Sequence, residues 1–164
     1  MTIENHLRLA DLTRDEFAQA MKEGRWLLLP FGSVEQHGPH LPLGTDLFYA
    51  EHVCLAVAER VNGLVAPGFP YGICRTMRNF PGTVSLSPET FAPLVREILV
   101  EYTRHGAKKC VLLAGHAEDA QEGAMREAAL SLVNVDPTLR VLVIGPYAFL
   151  EPIRERTGLV GKDG

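Results

Sequence analysis

Short apolar runs alternate with longer amphipathic segments along this chain. Several runs are closed by glycine or proline, which is typical of buried strands. The predicted strands cover residues 26–31, 64–67, 110–114 and 141–144. The amphipathic segments predict helices over about 14–23, 45–61, 88–105 and 117–133. Glycine and proline are frequent in residues 32–45 and 68–86, so these segments are predicted to be irregular loops.

Apolar strands that are separated by helices predict a parallel sheet with both faces covered. The expected fold class is therefore α/β, with three layers and a mostly parallel sheet of about four or more strands between helices. The chain has 164 residues, which is close to the usual size of one domain, so residues 1–164 are expected to form a single α/β domain. Ligands of such sheets bind beyond the carboxyl ends of the strands.

Composition and charge narrow the class of protein. Hydrophobic residues make up 46% of the chain, enough for a sizeable core, and the formal net charge is −4. Without a basic stripe or a long apolar run, we expect neither a nucleic-acid partner nor a membrane span. No secretory signal is visible at the N-terminus, and the odd number of cysteines fits no zinc or thioredoxin motif. Cys54, Cys74 and Cys110 are therefore expected to be reduced packing residues of a cytoplasmic protein.

Carboxylates and imidazoles follow two of the predicted strands. Glu35 and His37 come after the first strand, and His116 and Glu118 come after the third, each pair spaced by two residues. In extended backbone this spacing points both side chains to the same side. Asp46 stands at the start of the next helix, where backbone N–H groups favour an anion. Three carboxylates and two imidazoles, with no thiolate, suit zinc, manganese or iron(II).

Charge counting favours two divalent ions over one. Two ions bring four positive charges, three carboxylates bring three negative charges, and a bridging hydroxide makes the centre neutral. Asp46 is the natural bridge because it stands apart from both pairs. The role of His40 stays open between lining this site and bonding within its own loop. Ser33 is interpreted as a loop residue, since no nucleophile elbow is present. The absence of a phosphate-binding loop disfavours a nucleotide binder of similar architecture.

Three sequence blocks resemble the creatininase (creatinine amidohydrolase) family. They are PFGSVEQHGPHLPLGTD at 30–46, FPGTVSL at 80–86 and GHAE at 115–118. The resemblance implies an α/β fold and a two-metal centre that hydrolyses amide-type C–N bonds, in a protein that is commonly a homo-oligomer and frequently a hexamer. It places Glu35, His37, Asp46, His116 and Glu118 on metal-ligand positions.

The function expected from this resemblance is that of a binuclear metal amidohydrolase. A metal-bridging hydroxide would attack a small amide, lactam or formamide, with zinc, manganese or iron as the two metals and His40 as a substitute proton donor. The chain departs from the family pattern at Met77, near where members usually carry histidine, and at Ala114, where asparagine is common. It also ends about where a C-terminal catalytic segment would begin. The alternative is therefore a truncated, non-catalytic member that binds metal or forms oligomers.

Overall fold

The computed structural model describes residues 7–148 of the chain. After a short 3-10 turn at Leu9–Asp11, helices and strands alternate through this part of the chain. The helices are α1 (Arg14–Lys22), α2 (Thr45–Val61), α3 (Pro88–Arg104) and α4 (Asp119–Val133). The strands are β1 (Trp26–Phe31), β2 (Gly63–Val65), β3 (Lys109–Ala114) and β4 (Arg140–Ile144). Within residues 7–148, no helix combines the length and the apolar character needed to cross a bilayer.

The strands form one parallel sheet in the order β2-β1-β3-β4. In the register of the two central strands, Leu27 pairs with Cys110 and Phe31 pairs with Ala114. Both strands therefore end at the same level, and the segments that follow them leave the sheet side by side. The parallel α/β fold expected from the sequence is confirmed.

Alternate residues of the strands pack into two cores, one on each face of the sheet. The larger core joins Leu27, Leu29 and Phe31 to residues of α1, α3 and α4. The smaller core joins Leu28 and neighbouring strand residues to α2, from which all its helical residues come. Since α2 lies over β1, β2 and β3, Leu142 on the same face of β4 stays 50% exposed. Coverage of this second face is thus less complete than the sequence predicts.

Helix starts agree with the sequence where a capping pattern is present. Thr13 and Glu16 form a capping box, and α1 begins directly after Thr13, as the sequence pattern of a hydroxyl residue followed three positions later by glutamate predicts. The last helix begins at Asp119, two residues later than predicted, because Glu118 keeps an extended conformation with φ −92° and ψ 123°. The carboxylate of Glu118 accepts a hydrogen bond from the backbone N–H of Arg75 at 2.7 Å. The Glu118 side chain is therefore held toward the predicted site and does not lie on the exposed face of a helix.

Candidate metal centre

The carboxyl ends of β1 and β3 bring distant segments together. The Gly115 N–H donates to the Phe31 carbonyl at 2.7 Å, so the chain leaves both strands in contact. Glu35 then lies on one exit segment and His116 on the other. The first turn of α2 starts at the same edge and carries Asp46, which is buried. The topology alone therefore collects three of the predicted site residues at one place.

Two glycines allow the start of α2 to pack directly on the strand ends. A Cβ atom on Gly115 would lie 2.0 Å from the Asp46 carbonyl oxygen, and one on Gly32 would lie 2.5 Å from the Leu47 Cα. Both neighbours are backbone atoms, which cannot move aside as a flexible side chain can. This explains physically why glycine occurs at these two points of the sequence blocks.

Asp46 lies at the centre of the site. Its Oδ1 is 3.1 Å from His37 Nε2, and its Oδ2 is 3.1 Å from His116 Nδ1. The buried Ser33 hydroxyl donates to Asp46 Oδ2. Glu35 Oε1 is 3.2 Å from His116 Nδ1 and 3.9 Å from His37 Nε2. One carboxylate thus faces both imidazoles, with one oxygen toward each.

Backbone carbonyls fix the orientation of both imidazoles. His37 Nδ1 is 3.1 Å from the Glu35 carbonyl oxygen, and His116 Nε2 is 3.0 Å from the Ile73 carbonyl oxygen. A carbonyl can only accept, so we assign the N–H to these two ring nitrogens. The opposite nitrogen of each ring then faces carboxylate oxygens. A donor bond from the outer nitrogen to a carbonyl is the usual support of a metal-bound histidine.

Burial and hydrogen bonding set the protonation of the cluster. Burial alone would raise the pKa of Asp46, but hydrogen bonds from His116 and Ser33 outweigh it and lower that pKa below its ordinary value. Burial raises the pKa of Glu35, partly opposed by the neighbouring His116. Burial disfavours the charged imidazole of His116, yet its contacts with Asp46, Cys74 and Glu35 raise its pKa to about 10. Without a metal, the site therefore holds a proton on His116 between the carboxylates.

The raised pKa of His116 predicts a pH dependence of stability for metal-free protein. Its ordinary value is 6.5, so the folded chain holds this proton more tightly than the unfolded chain does. This stabilisation is complete below pH 6.5 and is lost as pH rises towards about 10. Urea unfolding of chelator-treated protein across this range should show the decline, and His116→Gln should lack it. Parallel curves for the two proteins would contradict the prediction.

The segment 80–86 supports the loop that carries Glu35. Val84 donates its N–H to the Val34 carbonyl at 2.9 Å, and the Thr83 hydroxyl accepts the Gln36 N–H at 3.1 Å. On the other side, the fully buried Gln121 accepts the Ile73 N–H at 2.9 Å and donates to the Gly32 carbonyl at 3.2 Å. The second sequence block and a helix side chain thus hold the first block in place.

Glu118 lies at the edge of the cluster rather than within it. Its Oε2 is 3.8 Å from His116 Nε2, and it lines the same cavity of about 540 Å³ as Glu35, His37 and Asp46. His40 is exposed and lies outside the residues that line this cavity, with its ring against Gly38. This placement does not support the predicted proton-donor role of His40.

Sequence reasoning missed two residues of the site. Ser33 is fully buried and orients Asp46, although it is not a nucleophile candidate. Cys74 is buried, and its donor atom lies with donor atoms of Glu35 and His116 within 4.8 Å of one another. A centre without a thiol is predicted from the sequence, because the three cysteines fit no metal-binding motif and all three are expected to be packing residues. Unlike Cys54 and Cys110, however, Cys74 falls in a predicted loop, and that was the available signal.

Fold and site together define a class: a parallel α/β protein with a carboxylate and imidazole centre, of the kind that binds divalent metal, at the carboxyl edge of its sheet. Comparison with known proteins gives the family. The model of the creatininase family, described as creatinine amidohydrolase, matches residues 10–155. The chain belongs to the creatininase family.

Its relatives include an amidohydrolase and a peptidase. It is 38% identical to a creatinine amidohydrolase of Pseudomonas putida over 118 residues, covering 68% of this chain and 45% of that protein. It is 39% identical to a mycofactocin precursor peptide peptidase of Mycobacterium ulcerans over 115 residues, covering 62% and 44% of the two chains. The matched region thus spans less than half the length of these curated relatives.

Solved creatininase structures share the fold. One described as the manganese form superposes with a TM-score of 0.87 at 30% identity, covering 98% of this chain and 66% of that one. A variant described as Zn–Zn type gives 0.85 at 28% identity, covering 96% and 66%. Creatininase structures therefore carry manganese or zinc, and this chain has a group of side chains able to hold a metal.

Proposed function

We propose that this chain carries a two-metal centre and hydrolyses the C–N bond of a small amide, lactam or formamide. The observation that carries the proposal is the orientation of the two imidazoles. His37 and His116 each give one N–H to a backbone carbonyl and direct the other nitrogen at Asp46. A ring nitrogen placed against a carboxylate calls for positive charge between the two, and a divalent metal ion would replace the proton that His116 holds there in metal-free protein.

The donor set fits divalent metal in a second respect. Glu35 Oε2 is buried and has no hydrogen-bond partner among the described residues. An unsatisfied carboxylate oxygen in a buried place is costly, and a metal ion would satisfy it. Asp46 offers one oxygen toward each imidazole, which suits the bridge between two ions. We propose Glu35, His37, Asp46, His116 and Glu118 as the ligands.

Amide hydrolysis adds the oxygen of water to the carbonyl carbon and returns a proton to the leaving nitrogen. Divalent metal ions, when bound, supply the Lewis acidity that activates water and stabilises charge on the carbonyl oxygen. The Ser33 hydroxyl keeps the Asp46 carboxylate oriented, and the first turn of α2 stabilises its charge. Arg75 and Tyr147 line the same cavity and offer a guanidinium and a phenol to the substrate.

Metal content and turnover together test the proposal. Chelator-treated protein is reloaded with zinc or manganese, and bound metal per chain is measured by elemental analysis. We expect two equivalents, and hydrolysis within a panel of creatinine, formamides and short peptides that the chelator removes and metal restores. His116→Asn should lose metal, whereas His52→Asn, at an exposed histidine of α2, should keep it. Binding of one equivalent or none would contradict the two-metal centre.

A second candidate function is metal binding without catalysis. It is favoured by the lining of the cavity. Among the described residues, the imidazoles in this lining are those of His37 and His116, both already proposed as metal ligands, and Met77 also lines the wall. Met77 lies near the position where the family resemblance places a histidine. Two bound metals with no turnover on any amide of the panel would favour this candidate.

The homo-oligomer and the cytoplasmic location stay predictions.

A further inference from the structure

Cys74 is the one thiol of the described residues that lies beside the proposed metal ligands. It is completely buried, and its donor atom, with one from Glu35 and one from His116, belongs to a group whose members all lie within 4.8 Å of one another. Cys54 and Cys110 are packed in the apolar cores instead, where burial raises the pKa of both thiols to about 12. Cys74 therefore has a different environment from the other two.

The backbone fixes the position of Cys74 on both sides. Its own N–H donates to the Ser85 hydroxyl at 2.9 Å. The preceding residue, Ile73, donates its N–H to Gln121 at 2.9 Å and accepts the Nε2–H of His116 at 3.0 Å. The carbonyl that orients the His116 ring thus belongs to the residue next to Cys74. The same short segment places the thiol and orients the imidazole.

Glu35 independently indicates that a cation can bind at this place. The residue is 8% exposed, and its Oε2 is buried without a hydrogen-bond partner among the described residues. Its other oxygen contacts His116 Nδ1 at 3.2 Å. A cation placed among Glu35, Cys74 and His116 would satisfy the free carboxylate oxygen.

We propose that Cys74 supplies a thiolate ligand, with Glu35 and His116, to one position of the metal centre and biases that position toward zinc over manganese. This inference rests on the proposed two-metal centre. As the sulfur–metal bond forms, the thiol proton leaves to water. A soft thiolate favours zinc, whereas carboxylate and water ligands suit manganese. With the thiolate, four anionic side chains balance two divalent ions, so neutrality no longer requires a hydroxide.

Cobalt substitution tests the sulfur bond directly, because a thiolate bound to Co(II) gives a charge-transfer band in the near ultraviolet. We expect the band in the cobalt-loaded wild-type chain and in Cys110→Ser and Met77→Leu, and its loss in Cys74→Ser. The zinc affinity of Cys74→Ser should fall by about 100-fold, while its manganese affinity changes little. X-ray absorption of the zinc-loaded wild-type chain, which needs no variant to fold, should show sulfur about 2.3 Å from zinc.

The outcomes separate this inference from the proposed function. A charge-transfer band that persists in Cys74→Ser, or zinc without a sulfur neighbour, would overturn the thiolate ligand and leave the two-metal centre standing. In that case the Cys74 thiol is a buried neighbour of Glu35 and His116 that binds no metal. A wild-type chain that binds neither cobalt nor zinc would overturn both proposals.

Discussion

Asp46→Asn is expected to lower the metal affinity of the chain by about 100-fold or more and to remove metal-dependent amide hydrolysis. Asparagine keeps the size of the side chain but replaces one oxygen, and the negative charge, with an amide nitrogen. Both oxygens of Asp46 are in use, since each lies 3.1 Å from an imidazole nitrogen. Elemental analysis after dialysis, followed by the amide panel, gives the readout.

Asp119→Asn is the matched control for this substitution. Asp119 lines the same cavity but is exposed, at the first position of α4. The control loses the same charge near the site and should retain two equivalents of metal. Full metal content and full activity in Asp46→Asn would show that the bridging role is wrong.

Gly115→Ala is expected to lower the free energy of unfolding by about 3 kcal/mol or more. The added Cβ atom would lie 2.0 Å from the Asp46 carbonyl oxygen and 2.9 Å from the carbonyl carbon. The start of α2 must then move away from the end of β3, so metal binding should weaken as well. Urea unfolding of the metal-free protein measures the loss of stability separately from the loss of metal.

Gly123→Ala provides the opposite expectation for the same chemical change. Gly123 lies in the interior of α4, and a Cβ atom there would meet no heavy atom within 4 Å. Alanine should raise the free energy of unfolding by about 0.5–1 kcal/mol, because it loses less conformational freedom than glycine in a helix. Equal stabilities of the two variants would contradict the close approach at Gly115.

The layout of the fold was predictable because local signals agreed with tertiary structure. The helix boundary at Thr13 follows from a capping box, and α3 begins at Pro88 as the Ser-Pro-Glu order predicts. The sequence did not predict the three-residue length of β2 or the half-exposed Leu142 of β4. The exposure of Leu142 depends on how far α2 reaches across the sheet, which a hydrophobic pattern along one chain does not record.

The site was predictable to the extent that its residues follow strands. Glu35 and His116 stand directly beyond β1 and β3, so sheet topology alone indicates that they converge. Ser33 and Cys74 contribute through contacts with residues far along the chain, at Asp46 and at His116. No spacing rule detects such contacts, because the first depends on the path of the loop 32–45 and the second on the path of the loop 68–86 over the edge of the sheet.

The two imidazoles are held by carbonyls of Glu35 and Ile73, which belong to separate loops, while the central carboxylate belongs to a helix. A cation bound there ties these segments together in a way that the unfolded polypeptide cannot reproduce. Ion occupancy and global folding then become one linked equilibrium. The supply of free metal would consequently set the lifetime of this polypeptide against proteases as well as its chemistry.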